Sequence, residues 1–143
     1  MKKLLVFIMG CISCAAFSLT LKSVKVFGEE VSKCNVSNNS ADASISSAMR
    51  FNRVGLSNES KIYAYHQITV VEQVGGCVAS VVFEINFNSF VAVPPENTKL
   101  VILKTLLCSQ VDVLAGSKLD FGKRVNDSLK ESVDLCINEI SKK

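Results

Sequence analysis

The spacing of hydrophobic positions changes several times along this chain, and each change marks an element. From Leu4 to about Leu19 apolar residues run almost unbroken behind Lys2 and Lys3, the layout of an export signal, with small residues Ser13 to Ala16 near the expected cut. A membrane anchor would begin the same way, but Gly10 and Ser13 interrupt the run, and a bilayer span needs about 20 apolar residues. Ile8-Met9-Gly10-Cys11 matches a lipoprotein cleavage box only faintly. With residues 1–20 as signal, residues 21–143 form a single domain of ordinary size for one core.

Ser23 to Phe27 is a short β-prone piece ending at Gly28, and Glu29 to Ser40 is a polar connector. From Asp42 to about Val54, Ile45, Ala48, Met49 and Phe51 recur at helical spacing, with Asp42 or Ser44 as N-cap and Gly55 as stop. Ile62 to Val71 and Val78 to Phe87 are rich in β-branched and aromatic residues and read as antiparallel strands about Gly75-Gly76. Pro94-Pro95-Glu96-Asn97 breaks the chain before a third strand, Leu100 to Leu114. Ala115-Gly116-Ser117 reads as a turn, and Leu119 to Val125 as a returning strand. In the tail, Val133, Leu135 and Ile137 alternate as in a strand, but the stripe Leu129, Val133, Cys136 and Ile140 favours a helix capped by Asn126 or Asp127. The order predicts an α+β domain: one N-terminal helix packed across a curved antiparallel sheet, with an extra C-terminal helix.

Charge and cysteine content narrow the function classes. Loss of Lys2 and Lys3 lowers sixteen basic residues to fourteen against thirteen acids, which leaves no basic stripe for nucleic acid. Cys34, Cys77, Cys108 and Cys136 remain, an even number in an exported chain, and favour disulfides in one of three pairings. Their spacing is not that of a metal site, and no phosphate loop appears, so no cofactor is expected. Asn35, Asn38, Asn58 and Asn126 each head an Asn-x-Ser sequon and would accept N-glycans in a eukaryotic secretory route.

No catalytic constellation stands out. His66 is the single histidine and falls in a predicted strand, and a dyad with Cys77 competes with disulfide formation. Asp42, Glu84, Asp112, Asp120 and Asp134 show no paired arrangement and read as solvated side chains or caps. An enzyme is therefore not expected. The informative segment is Glu72-Gln73-Val74-Gly75-Gly76, between two long apolar runs. A glycine-rich tip carrying one apolar side chain suits entry into a narrow groove on another protein.

That segment resembles the first inhibitory loop of the cystatins, inhibitors of papain-like cysteine proteases: Gln, any residue, Val, any residue, Gly, with Glu72 in the first place. Phe51-Asn52, with Asn52 twenty positions before Glu72, resembles the family's aromatic-Asn pair late in the helix. The same register puts Gly28 at the family's N-terminal glycine, preceded by Val26-Phe27, and Cys108-Ser109 at the strand cysteine before the second hairpin. The resemblance covers about Val26 to Ala115.

It implies a secreted, reversible inhibitor that fills a protease cleft with an N-terminal trunk and hairpin loops. Val26 and Phe27 would occupy substrate pockets, Gly28 would let the trunk bend, and Val74 and Gly76 would lie beside the catalytic cysteine. It also implies a Cys108–Cys136 bridge, with Cys34 and Cys77 paired or free. The chain departs from the family in Glu72, in Gly116-Ser117 where Pro-Trp is usual, and in lacking the first cysteine pair. Ser57-Asn58-Glu59 approximates a legumain-inhibiting triplet, displaced by about two positions. The alternative is a cystatin-fold binding or immunomodulatory protein without inhibition. Monomers and domain-swapped dimers are both compatible with such a fold.

Overall fold

The computed structural model describes residues 20–25, 34–93 and 99–142. The expected signal segment up to residue 19 and the expected trunk residues Val26, Phe27 and Gly28 lie outside the described residues. The elements are β1 (Thr20–Lys25), α1 (Asn38–Phe51), β2 (Gly55–Leu56), β3 (Ile62–Gln73), β4 (Gly76–Val93), β5 (Lys99–Gly116) and α2 (Phe121–Ile140). They form an α+β fold with one five-stranded sheet in the order β2-β1-β3-β4-β5.

The three long strands make an antiparallel meander, as their alternation predicts. β1, by contrast, runs parallel to both β2 and β3. Parallel neighbours need a crossover of a dozen or more residues, and the segment containing α1 supplies it. Between Ile85 and Asn86 the partner shifts from Cys108 to Leu106, so Leu107 is an extra residue on β5 and forms a bulge.

α1 begins earlier than Asp42 because Ser37, in extended conformation, caps it. Its hydroxyl accepts the Ser40 amide at 3.2 Å, satisfying a donor with no partner inside the helix. The expected strand Leu119 to Val125 is instead the start of α2. Phe121, Val125, Leu129, Val133 and Ile137 are all buried at a strict four-residue spacing, so one helical stripe extends five residues before Asn126. Asp120, rather than Asn126 or Asp127, stands at the cap position.

Both helices share one face of the sheet. α2 packs on α1, β4 and β5, and Asp42 of α1 meets His66 of β3 at 3.6 Å. Cys77, Ala79, Val81, Phe83 and Ile85 of β4 point into this core, together with Ala64 and Ile68 of β3 and the buried faces of both helices. Alternate residues face outward, where Val71, Val111 and Val113 are exposed. Two disulfides close the core, Cys34–Cys77 and Cys108–Cys136, which resolves the three possible pairings. Such bridges persist in oxidising surroundings and fit an extracellular or envelope protein.

Candidate functional site

β3 and β4 pair without interruption to Gln73 opposite Gly76, so the hairpin loop is the two residues Val74-Gly75. The adjacent glycines do different work. Gly75 has φ +88°, the left-handed value a tight turn requires at its second central position, and nothing crowds its missing side chain. Gly76 is a matter of space: a Cβ there would stand 2.7 Å from the Gly116 carbonyl oxygen. The reversal therefore falls one residue earlier than a Gly75-Gly76 tip. Val74 occupies its apex with a fully exposed side chain.

Three segments converge beneath that apex. Cys77, one residue into β4 from Gly76, is bonded to Cys34, and it lies opposite Gly116 at the end of β5. Lys118, just past β5, forms an ion pair with Glu72 at the end of β3. The Asn35 side-chain amide donates to the Lys118 carbonyl at 3.0 Å, and a Cβ on Gly122 would overlap the Asn35 carbonyl. The hairpin, the β5–α2 connection and the turn at Cys34-Asn35 thus form one clamped end of the molecule. Asn35 reaches its place with φ +56°, a left-handed value that Asn tolerates better than most residues.

Of the sequence-derived contact residues, Glu72, Gln73, Val74, Gly75 and Gly76 come together here, with Gln73, Val74 and Gly75 exposed. Gly116 is nearby but half-buried, packed toward Gly76 and Arg124 rather than at a tip. No second hairpin follows it, because β5 passes through Ser117 to Asp120 directly into α2. Leu119 in that connection is 84% exposed and supplies a second apolar side chain beyond the end of β5. Pattern reading missed Leu119 and Lys118 by placing the former in a strand. β1 runs parallel to β3, with Lys25 opposite His66, and the described chain resumes at Cys34.

The remaining candidates lie elsewhere or have structural partners. Cys77 is consumed by its disulfide, which removes the Cys-His dyad. Asn52 donates to Asp134 at 2.6 Å and links the two helices, while the neighbouring Phe51 is exposed. Asp112 accepts from Ser128 at 2.5 Å and Glu84 pairs with Lys104 at 3.2 Å, so these carboxylates are tied into the fold rather than merely solvated. Ser57-Asn58-Glu59 forms a turn shortly before β3 begins, at the end of the strand remote from Val74. Among the sequons, Asn58 is exposed in that turn, Asn38 opens α1 and Asn126 is half-buried on α2. Among the described residues, no group of three His, Cys, Asp or Glu side chains is arranged to hold a metal. No described helix is long and apolar enough to cross a membrane.

No family model and no curated protein matches this chain. A 2.35 Å crystal structure of a minor lipoprotein from Acinetobacter baumannii overlays on 87% of this chain and 91% of its own length, at 6% identity and a TM-score of 0.31. An overlay that loose bears on neither ancestry nor activity.

Proposed function

We propose that this chain is a secreted, reversible inhibitor of papain-like cysteine proteases, and that the Val74 hairpin is its wedge. The observation that carries the proposal is the pairing of full exposure at Val74 with a braced base. A projecting loop that is already ordered loses little conformational entropy on docking, so a small apolar contact suffices for useful affinity. Val74 enters the cleft beside the catalytic cysteine, and Leu119, two residues past the Ser117 position at which cystatins carry a tryptophan, supplies a second apolar contact. Lys118 provides the donor that the Glu72 carboxylate needs if water is stripped from it on binding. Val26, Phe27 and Gly28 complete the contact as the N-terminal trunk.

The test is titration of the refolded protein against papain and a cathepsin L-type enzyme. Val74→Asp is expected to weaken inhibition by about thirtyfold or more, the factor matching about 2 kcal/mol at a buried hot spot. Because Val74 touches little of its own fold, the melting temperature of that variant stays unchanged. Absence of inhibition by the parent protein at micromolar concentration would sink the proposal in favour of a non-inhibitory binding protein.

A further inference from the structure

A second feature stands apart from the hairpin. β5 is the last strand in the sheet, so its outer edge has no strand beside it among the described residues. α2 packs over β5 on the helix-covered face of the sheet, fastened by Cys108–Cys136 and by the Ser128–Asp112 hydrogen bond. Between strand and helix lies a cavity of about 380 Å³. Its lining includes Asp112 and Leu114, which share the register face turned to the helices, and also Val113, on the opposite face. A single cavity reaching residues of both faces sits at the strand's open edge.

We propose that this groove binds an extended peptide that adds to β5 as a further strand and directs a Lys or Arg side chain into the cavity. An unpaired edge offers backbone donors and acceptors to an incoming strand, and a side pocket then selects its side chains. Natural sheets block such edges with charges, bulges or prolines. Here the bulge at Leu107 and the exposed Lys104 protect the first half of β5 and the Arg124 guanidinium caps the Ala115 carbonyl, whereas Val111 to Leu114 between them carries one charge, Asp112, bound inward to Ser128. The cavity's charge selects the occupant. Asp112, Asp127 and Glu131 line it against a single guanidinium, that of Arg124, which is already donating to the Ala115 carbonyl. Asp127 is contacted by Lys130 at 3.7 Å, and Val113 supplies an apolar flank for the stem of a long basic side chain.

Fluorescence anisotropy with a labelled heptapeptide of alternating valine and lysine tests this against two controls: the same peptide with glutamate for lysine, and one N-methylated at alternate backbone nitrogens. The expected result is saturable binding of the basic peptide, at least tenfold weaker binding of the acidic one, and loss of binding on N-methylation. The double variant Asp127→Asn, Glu131→Gln, which alters helix-surface groups, is expected to fold normally by circular dichroism and bind the basic peptide at least tenfold more weakly. No saturable binding, equal binding of both charge types, or indifference to N-methylation would each overturn the proposal, the last by showing charge attraction without strand addition.

Discussion

The two ends of the β4 strand are built on opposite principles. At its start, β4 meets β3 through a two-residue turn, and within two residues of that turn lie a disulfide, an ion pair and a glycine pressed against a neighbouring carbonyl. At its far end, β4 and β5 continue past the last β3 pair, Ile62 with Phe87, as a two-stranded ribbon from Asn88–Lys104 to Val93–Lys99. The ribbon exposes Phe90, Ile102 and Leu103 and has no disulfide among its described residues; its base is tied by the Lys104–Glu84 ion pair and by the Asn88 amide donating to the Lys61 carbonyl. Apolar exposure is therefore common to both ends, and covalent bracing close to the tip belongs to one. Exposure alone does not identify a docking element, since much of any protein surface is apolar. Exposure on a segment held in a single shape is the better indicator.

The largest effect that would erase this contrast is loss of the Cys34–Cys77 bridge, which closes 43 residues of sequence separation. Loop-closure entropy puts its removal at about 4 kcal/mol. The paired substitution Cys34→Ala, Cys77→Ala should lower the urea midpoint accordingly and weaken inhibition together with it. If the melting temperature falls while inhibition at low temperature is untouched, the clamp serves stability and not the wedge.

Next in size are the two glycines, which separate space from conformation. Gly76→Ala forces a Cβ against the Gly116 carbonyl at 2.7 Å and should cost about 1 to 3 kcal/mol, because backbone on the next strand must move. Gly75→Asn meets open space and keeps a residue tolerant of positive φ, so its cost should stay below about 1 kcal/mol. Equal losses in chemical denaturation would refute this division of roles.

The same pair shows what sequence could and could not reveal. Two glycines between β-rich runs announced a reversal, and the local alternation of β3 and β4 was sufficient to place both strands. Which glycine turns and which makes room depends on Gly116, forty residues away in the chain and opposite Cys77 in the sheet. The late helix was misjudged at its start for a related reason. Leu119 to Val125 is short enough to satisfy either period, and the continuous stripe from Phe121 to Ile137 emerges only when the segment is taken whole. The parallel placement of β1 was illegible because it is a contact between distant segments with no local signature; cysteine spacing likewise left three pairings open, and the Cys108–Cys136 bridge was indicated by the family resemblance alone. Ser37 was hidden among Ser and Asn residues that all cap equally well on paper.

On the ribbon side, Ile102→Thr should change stability by less than about 1 kcal/mol, since the side chain is 59% exposed and threonine keeps the branched shape that strands favour. Inhibition should be identical to that of the parent. A loss comparable to that of Gly76→Ala would mean the ribbon packs on something that braces it, and the contrast between the ends would fail.

The smallest effect concerns the ion pair of Glu72 with Lys118. Its lysine is 47% and its glutamate 28% solvent-exposed, so water and salt screen the attraction and the side chains lose rotamer freedom to form it. Lys118→Ala should therefore cost about 0.5 kcal/mol in chemical denaturation at low salt, and the difference from the parent should shrink toward zero at 1 M salt, where the screening length is about 3 Å. The residue's carbonyl still accepts from Asn35, so the loop keeps its place without the ammonium group. A loss above about 1.5 kcal/mol, or one indifferent to salt, would shift responsibility for the tip's shape from the disulfide and the glycine contact to electrostatics. The hairpin would then be an element whose rigidity depends on ionic strength, and its inhibition should weaken in parallel as salt is raised.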